Sequence, residues 1–599
     1  IPVPARPVIP FGRPVHDRLR VEIARGCTRG CRFCQAGMIY RPVRERRPQT
    51  VLASAMQVLR ETGYEDLSLL SLSTGDYSCI AALIDGIMQA GQASHVSVSL
   101  PSLRAGSLTP ELMETIRKVR KTGFTIAPEA GSQRLRNVIN KNISETDIVE
   151  TVQNAFSWGW KVIKLYFMIG LPTETQSDVE AIVALVKRLT TVSGSDGRMG
   201  RIHVSVATFV PKPHTPFQWV AQIDLDTALQ KMRWLKANLN IKNVQFKWQD
   251  PRVSRIEGVW SRGDRRLSTV LTEAWRAGCR FDGWTDFFDY DRWMAVFDAC
   301  GIDPDRFQPD PFDRRGPLPW DHIRLGVDRA YLIQEYERAL QGRTTDDCRT
   351  GNCSGCGVCD FETVKPVTHT DHGIDAQPIR LPDRPAQPLP PAAYQVTFAK
   401  TGPARFIGHL EMVNIFIRAM RRAAVPIAYS SGFHPMPRLS FADTLPMSMQ
   451  SEDERMWVIL TKTMDEQELA SRLQGQLPVG LTVVACRAQI GKKRPDRSDP
   501  LYYHVELIDG FFRQKDLGWF RDQQQVTIAR TSKKSRVTNV DLKKAVIDLR
   551  LLNDREATMT LGLDGQLMVR PAHIMQTVFK LSDHQIRTAI VTKRKATHV

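Results

Sequence analysis

The sequence predicts an α/β protein in which residues 18–224 form a partial (β/α)6 barrel, followed by a helical, cysteine-rich extension and a C-terminal mixed α/β module. Three observations predict this class. Apolar stretches of strand length alternate with longer stretches of helical period up to about Trp219. Hydrophobic residues make up 42% of the chain, which is enough for several cores. The length of 599 residues corresponds to three to five domains at roughly 100–200 residues each.

Within the first region, six strands are predicted to alternate with five helices. Strands that each lead into a helix favour a parallel sheet. Periodicity does not distinguish a partial barrel from an open doubly wound sheet, so both arrangements stay open. The predicted strands are Leu19–Ala24, Leu67–Ser73, Val96–Leu100, Phe124–Ala127, Val162–Ile169 and His203–Phe209, and the predicted helices are Thr50–Thr62, Ile80–Ala90, Pro110–Lys121, Glu145–Trp158 and Gln176–Thr190.

Outside this region the chain divides where its composition changes. Residues 1–17 are interpreted as a linker from a missing upstream region, and residues 225–363 as a mostly helical extension. Residues 364–393 are rich in proline and predict a semi-extended linker. The last module then covers residues 394–599.

Basic residues outnumber acidic ones, with 82 lysines and arginines against 64 aspartates and glutamates, so the net charge is +18. This excess fits a polyanionic partner and favours RNA, although a basic protein without such a partner has the same composition. No apolar stretch approaches the ~20 residues that a membrane span needs, and no charged-then-apolar leader opens the chain. We therefore expect a cytoplasmic protein that does not enter membranes.

The most informative stretch contains Cys27, Cys31 and Cys34, spaced C-x3-C-x2-C with Phe33 just before the last cysteine. Three thiolates this close together can each hold one iron of a 4Fe–4S cluster and leave the fourth iron open. The cysteines follow the first predicted strand, and the loops after strands form the active-site mouth of βα barrels. A zinc site completed by a distant fourth ligand is the alternative.

These residues resemble the signature of the radical S-adenosylmethionine (SAM) superfamily, and the resemblance covers about Arg18 to Trp219. It implies that the open iron chelates the amino and carboxylate groups of the methionine part of SAM. Reductive cleavage of the sulfonium then yields a 5′-deoxyadenosyl radical, which abstracts hydrogen from the substrate. An electron donor protein is the partner expected for the reduction.

The segment after the second strand resembles the one that holds the SAM amino group in this superfamily. It contains Gly75 and Asp76, with aspartate where the family commonly has glutamate. A carboxylate at this position accepts a charge-assisted hydrogen bond from an ammonium group. A plain turn is the alternative for these two residues.

Two further segments resemble those of cobalamin-linked and methylthiotransferase-like radical SAM enzymes. In the first, Glu129 is implied to place a carboxylate near SAM, and Arg134 and Arg136 to meet that carboxylate or a substrate anion. A helix-capping glutamate beside solvated arginines is the alternative. In the second, Gly170 and Glu174 belong to a Gly-Leu-Pro-x-Glu-Thr loop that borders the adenine in the family. No Asp-x-His-x-x-Gly cobalamin segment occurs, so cobalamin is not predicted for this chain.

A second cysteine cluster follows the helical extension and offers four thiolates. Four ligands complete either a tetrahedral zinc site or a second 4Fe–4S cluster, and the spacing does not decide between them. Four structural cysteines without metal are the remaining alternative. The cluster consists of Cys348, Cys353, Cys356 and Cys359.

The C-terminal module resembles a domain of unknown function (DUF2344) that accompanies radical SAM proteins. Three arginines, Arg418, Arg421 and Arg422, are predicted to share one helix face. With Lys400, His409 and His434 they are hypothesised to form an anion-binding surface for RNA. A solvated helix face is the alternative.

These features together predict a radical SAM enzyme that modifies RNA by methylation or sulfur insertion. One alternative is a radical SAM enzyme that acts on a small molecule or a protein and uses its basic module to dock a partner. Another alternative is a non-catalytic iron–sulfur scaffold.

Overall fold

The computed structural model describes residues 4–91, 96–99, 104–105, 124–194, 197, 199–307, 311–369, 392–431, 435–442, 444–489, 500–531, 537–564 and 567–595. The predicted helix Pro110–Lys121 lies outside these residues. The chain divides into two units. The first, here called the barrel unit, comprises residues 18–56 and 66–379, and the second, the C-terminal unit, comprises residues 1–17, 57–65 and 380–599.

Parallel strands that alternate with helices form the centre of the barrel unit, as the sequence predicts. Apolar side chains at every second position bury one face of each long strand: Ile163, Leu165 and Phe167 are buried, whereas their neighbours are largely exposed. Helices Glu145–Ser157 and Gln176–Thr190 pack against the buried faces. A capping box at Ser144 begins the first of these helices, which confirms the predicted start.

Apart from the short antiparallel pair Ala24–Arg25 and Arg44–Glu45, the described strands of the barrel unit lie in two parallel sheets. One has the order Leu19–Glu22, Asp66–Leu70, Ser97–Ser99, and the other has the order Phe124–Glu129, Val162–Ile169, Arg201–Thr208, Val244–Trp248. In the second sheet Ile126, Leu165, Val204 and Phe246 are in register across all four strands. The α/β class and all six predicted strands are confirmed, and their bounds differ by a few residues.

The strand Val244–Trp248 corrects the expectation that residues 225–363 are mostly helical. It pairs with Arg201–Thr208, and its residues alternate between apolar and polar, with Val244 and Phe246 packed against the core; the sequence analysis missed this pattern. The other regular elements of the described part of this extension are helices, which turns and loops connect. The helices of the barrel unit are Ala36–Ile39, Pro48–Thr62 (of which residues 57–62 belong to the C-terminal unit), Ile80–Gly91, Gln133–Val138, Glu145–Ser157, Gln176–Thr190, Leu225–Asn238, Pro251–Arg262, Leu267–Arg276, Tyr290–Ala299 and Arg329–Leu340, with 3₁₀ turns at Thr74–Asp76 and Pro304–Phe307.

Two short strands join the cysteine loop to the start of the predicted proline-rich linker. Ala24–Arg25 pairs with Arg44–Glu45, and the backbone of Val367 exchanges hydrogen bonds of 2.9 Å with Val43 and Glu45. The described start of the predicted linker is therefore tied to the barrel unit. Residues 370–391 of that linker lie outside the described residues.

An eight-stranded mixed sheet organises the C-terminal unit and confirms the predicted α/β module. The sheet joins both halves of the module, because Met449–Leu460 pairs in parallel with the last strand, Ile590–Arg594. The strands of the unit are Ala392–Lys400, Leu439–Phe441, Met449–Leu460, Leu481–Gln489, Leu501–Glu506, Thr527–Thr531, Val537–Asp541, Val546–Leu551, Glu556–Leu561, Leu563–Asp564, Leu567–Met568 and Ile590–Arg594, and its helices are His409–Arg422, Glu466–Gln474, Gln514–Asp522, Leu542–Ala545, Pro571–Thr577 and Asp583–Thr588, with a 3₁₀ turn at Gly402–Phe406.

No helix of the described residues is long and apolar enough to span a membrane.

Candidate active site

The loop with Cys27, Cys31 and Cys34 follows the carboxyl end of strand Leu19–Glu22, where the sequence places it. Gly26 begins the turn with φ +86°, and a Cβ there would lie 2.3 Å from the backbone oxygens of two residues after the loop. Only glycine fits such a close approach in the left-handed region. The turn therefore brings all three thiols, each partly buried, onto one short loop.

The donor set of this loop fits an iron–sulfur cluster. Burial raises the pKa of Cys27 to about 11 and also raises that of Cys34, and the nearby Cys31 raises both further. Soft thiolates are the usual ligands of 4Fe–4S clusters, and binding of iron would displace these protons. With three thiolates from the loop, a cluster held here keeps one iron free for a non-protein ligand.

Two buried polar side chains hold the residues between the cysteines. Arg32 is fully buried; its Nε lies 3.0 Å from a Glu335 carboxylate oxygen, and its other nitrogens donate to backbone carbonyls. Asn140 donates to the carbonyls of Gly30 and Thr345, both at 3.1 Å. The loop is thereby fixed to helix Arg329–Leu340 and to the segment that leads into the second cysteine cluster.

Gly75 and Asp76 lie in the 3₁₀ turn after strand Asp66–Leu70, beside the cysteine loop. The Asp76 carboxylate is already paired: it accepts from Nε of Arg29 at 2.8 Å and lies 3.4 Å from Nη2 of Arg349. Burial alone would raise the pKa of Asp76, but the hydrogen bond from Arg29 lowers it below its ordinary value. Recognition of the SAM ammonium by Asp76 stays a prediction, and it would require exchange of these partners.

The same arginines connect the two cysteine clusters. Asp347 lies 2.7 Å from Nη2 of Arg349 and 3.4 Å from Nε of Arg29, and it accepts a 2.5 Å hydrogen bond from Oγ1 of Thr28. Thr28 and Arg29 lie between Cys27 and Cys31, whereas Asp347 and Arg349 flank Cys348. We call Arg29, Asp76, Asp347 and Arg349 the ion-pair network.

A narrow cavity adjoins Cys27, and a second carboxylate faces it. The cavity is lined by residues that include Gly26, Cys27, Glu45, Ser73 and Asp76. Glu45 is buried; its Oε1 accepts from the backbone of Ser78 at 3.0 Å, and its Oε2 has no hydrogen-bond partner among the described residues. An unpaired buried carboxylate oxygen fits a cationic group such as the ammonium of SAM. The sequence analysis missed Glu45, because no pattern in the sequence brings it to the cysteine loop.

Glu129 ends strand Phe124–Glu129 with φ +69° and lies near the cysteine loop. Its carboxylate is 3.2 Å from Nζ of Lys141, and that ammonium lies 5.7 Å from the centre of the Phe33 ring. The positive charge of Lys141 also acts on Cys34. The structure thus brings the predicted Glu129 to the site, paired with a lysine whose role the sequence did not indicate.

The loop Gly170–Thr175 is closed by contacts of its own. Glu174 accepts from the backbone nitrogen of Gly170 at 2.9 Å and pairs with Nζ of Lys231 at 2.6 Å. Gly170 has φ +77°, and a Cβ there would lie 2.6 Å from the Ile223 side chain. Glu174 therefore stabilises the conformation of the loop. A contact between this loop and the adenine of SAM stays a prediction.

Two arginines of the following helix have partners within the protein. Arg134 donates to the backbone oxygen of Thr173 at 2.8 Å and pairs with Asp178. Its side chain is half-exposed, but its guanidinium already has these two partners. Arg136 is fully buried and donates to the carbonyls of Ala130 and Gly131. The hypothesis that Arg136 meets the Glu129 carboxylate or a substrate anion is wrong, because its donors hold the turn before the helix.

The proposed arginine surface of the C-terminal unit is also engaged in internal contacts. Arg418 pairs with Asp17, Arg421 donates to the hydroxyl of Tyr429 at 2.9 Å, and Arg422 donates to the backbone oxygen of Gln476 at 2.6 Å. Lys400 is buried and donates to the carbonyl of Ile407, and Nδ1 of His409 is buried without a partner among the described residues. His434 lies outside the described residues. The shared helix face is correct, but these side chains are not a free anion-binding surface.

Comparison with known families agrees with this geometry. The model of the radical SAM superfamily matches residues 21–186, which contain the first cysteine loop and the parallel strands around it. The model described as an uncharacterized protein conserved in bacteria (DUF2344) matches residues 393–571. The chain therefore contains a radical SAM domain and a DUF2344 domain.

Curated relatives match only part of the chain. The uncharacterized protein MJ0966 of Methanocaldococcus jannaschii is 35% identical over 42% of this chain and 53% of its own length. The ribosomal protein uS12 methylthiotransferase RimO of a Thermoanaerobacter species is 24% identical over 28% of this chain and 40% of its own length. The threonylcarbamoyladenosine tRNA methylthiotransferase MtaB of Treponema pallidum is 23% identical over 29% of this chain and 37% of its own length. The chain thus spans about half the length of these relatives or less.

Two solved structures align weakly with the chain. The methyltransferase TsrM from Kitasatospora setae has a TM-score of 0.27 at 13% identity and covers 33% of this chain and 36% of its own. HydG, a maturase of the [FeFe]-hydrogenase, has a TM-score of 0.26 at 12% identity and covers 55% of this chain and 83% of its own.

Proposed function

We propose that this protein is a radical SAM enzyme that modifies RNA by methylation or sulfur insertion. The observation that carries the enzymatic part is the loop with Cys27, Cys31 and Cys34. It presents three thiols, not four, at the carboxyl end of a parallel strand. A purely structural metal site would be expected to fill all its positions with protein ligands.

The residues around the loop are suited to hold SAM as well as the cluster. When bound, the reduced 4Fe–4S cluster supplies the electron that splits the sulfonium of SAM into methionine and a 5′-deoxyadenosyl radical. Glu45 offers an unpaired carboxylate oxygen to the ammonium group, and Lys141 lies beside Glu129 at the edge of the loop. Arg32 and Asn140 fix the loop backbone, so that the thiols need little reorganisation to bind a cluster.

The choice of RNA as substrate rests on charge and on relatives. The chain carries a net charge of +18, which favours association with a polyanion. One of its relatives is named for methylthio transfer to tRNA. Other relatives are named for ribosomal protein uS12, so a protein substrate is the second candidate. A cytoplasmic location and an electron donor protein belong to the same proposal.

Cleavage of SAM tests whether the protein is an enzyme. Anaerobically reconstituted protein with dithionite and SAM should form 5′-deoxyadenosine and methionine, measured by liquid chromatography and mass spectrometry. The Cys31→Ala variant should form neither, whereas Cys300→Ala, which replaces a cysteine that packs against a core of the helical extension, should retain the activity. Absence of 5′-deoxyadenosine from wild-type protein with a full cluster would favour the non-catalytic scaffold.

Transfer of label tests the substrate. Ribosomes, ribosomal proteins freed of RNA, and total tRNA from a strain lacking the protein are incubated with it, with SAM labelled on the methyl group and with radiolabelled sulfide, so that both methylation and sulfur insertion leave label. We expect label in nucleosides after RNA digestion. Label in protein alone would contradict RNA as the substrate, and SAM cleavage without label in either polymer would point to a small molecule.

A further inference from the structure

The second cysteine cluster lies on a compact loop of the barrel unit that begins shortly after helix Arg329–Leu340. Gly355 and Gly357 have φ of +67° and +84°, so the backbone turns sharply between the cysteines. The backbone nitrogen of Gly355 lies 3.4 Å from Sγ of Cys353, and the carbonyl of Cys356 accepts from the nitrogen of Asp328 at 3.0 Å. These contacts fix the backbone of the loop around Cys353 and Cys356.

The four cysteines of the cluster all lie within residues 348–359, on one loop. No disulfide links any of them. Four free cysteines that share one loop in this way need a cation if they are all to be thiolates.

A buried arginine already faces this loop. Arg41 donates to the carbonyl of Gly37 at 3.0 Å and to the hydroxyl of Tyr331 at 3.2 Å, and it also hydrogen bonds to the Cys356 thiol. The same guanidinium lies 5.3 Å from the centre of the Tyr331 ring. A buried cation next to the sulfur of Cys356 stabilises a site of net negative charge, which is the charge of a metal centre with four thiolates.

The spacing of the thiols distinguishes a single ion from a cluster. Four sulfurs around one zinc ion lie about 2.3 Å from a common point. Among the described residues, no three histidine, cysteine, aspartate or glutamate side chains converge on a point where one metal ion could bind. In a 4Fe–4S cluster each thiolate binds a different iron, so the sulfurs stand farther apart.

We propose that Cys348, Cys353, Cys356 and Cys359 hold a 4Fe–4S cluster in which every iron has a protein ligand, with Arg41 hydrogen bonded to the sulfur of Cys356. This site is separate from the three-cysteine loop and does not depend on the reaction proposed above. Because no iron is left open, SAM does not bind to it.

The test uses a full-length variant that lacks the first site. In Cys27→Ala/Cys31→Ala/Cys34→Ala, reconstitution should leave about four irons and four sulfides per chain, against about eight of each in wild type. The electron paramagnetic resonance spectrum of the reduced variant should be unchanged by SAM. About one zinc with no sulfide, no bound metal in a folded variant, or a spectrum that shifts with SAM would overturn the proposal.

The role of Arg41 is tested on the same triple variant. Because its charge favours the more negative, reduced cluster, Arg41→Gln should shift the midpoint potential to a more negative value, and Arg41→Lys should shift it less. Arg44→Gln is the matched control, since the Arg44 side chain is exposed and its hydrogen bond to the backbone oxygen of Tyr40 is long, at 3.4 Å. If Arg41→Gln keeps its iron and the potential does not move, Arg41 is not a partner of the cluster.

Discussion

The buried guanidinium of Arg32 pairs with the buried carboxylate of Glu335, with Nε 3.0 Å from Oε2. Arg32 lies between two cysteines of the first loop, and Glu335 lies on helix Arg329–Leu340, 303 residues later. The pair therefore anchors the loop to an element outside the parallel strands.

Removal of one partner of this pair should destabilise the barrel unit. Glu335→Gln leaves Arg32 as an uncompensated buried charge, for which the expected cost is about 3 kcal/mol. The measurement is the urea midpoint of the metal-free protein. Glu337→Gln is the control on the same helix: Glu337 forms an exposed pair with Arg314, worth about 0.5 kcal/mol. Equal midpoints for the two variants would contradict the anchoring role.

Asp178 should make the stability of the barrel unit depend on pH below 4. Although burial raises its pKa, hydrogen bonds from Arg134, Ser132 and Thr175 lower it from 3.8 to about 2. A lowered folded-state pKa gives stability that is fully present above pH 4 and is lost as the pH falls to 2. The contribution is about 2 kcal/mol.

The variant Asp178→Asn removes this ionisation. Urea unfolding at pH 6, 4 and 3 should show a lower midpoint at pH 6 and a smaller drop toward pH 3 than in wild type. An unchanged pH dependence in the variant would show that other carboxylates cause the acid sensitivity.

Gly131 should tolerate no side chain. A Cβ at this position would lie 2.3 Å from the backbone nitrogen of Ile182 and 2.6 Å from the backbone carbon of Ala181, in the middle of helix Gln176–Thr190. The backbone atoms of a packed helix cannot move away from the added methyl group, so Gly131→Ala should lower the free energy of unfolding by about 3 kcal/mol. Gly283→Ala, which meets nothing within 4 Å, is the control. Thermal unfolding followed by circular dichroism measures both, and similar midpoints would refute the close approach.

Asp76 should contribute to SAM binding despite its arginine partners. Asp76→Asn removes the charge that holds Arg29 and Arg349 in place and the acceptor predicted for the ammonium, so SAM affinity should fall about 10-fold to 100-fold. Equilibrium binding of SAM to the reconstituted protein measures this. Asp264→Asn, which breaks an ion pair with Arg266 outside the site, should bind SAM as wild type does. Unchanged affinity in Asp76→Asn would assign the ammonium to Glu45 alone.

The sequence predicts those parts of the fold that carry a local signal. Strand Val162–Ile169 has alternating apolar residues, and helix Glu145–Ser157 begins at a capping box, so both are predicted almost to the residue. Strand Val244–Trp248 also alternates apolar and polar residues, but a pattern of five residues is too short to identify a strand by itself, and its pairing with Arg201–Thr208 is a contact that no local pattern shows.

The same distinction applies to the site. The cysteines are found because their spacing is a local pattern in the sequence. The contact between Thr28 and Asp347 joins residues 319 positions apart, and no pattern in either segment predicts it. For Arg418, Arg421 and Arg422 the helical spacing is correct, but only the structure shows that their partners are internal. The one hint that was present and overlooked is the set of charged residues next to the cysteines, Arg29, Asp347 and Arg349.

The ion-pair network couples the ordering of the two cysteine loops. Arg29 and Thr28 on one loop and Asp347 and Arg349 on the other hold each other in place, so ordering either loop lowers the conformational entropy that the other still has to lose. By thermodynamic reciprocity, whatever occupies one loop strengthens occupancy of the other by the same factor. For the two clusters proposed above, we therefore expect each to bind more tightly when the other is present, although either loop can still be loaded alone.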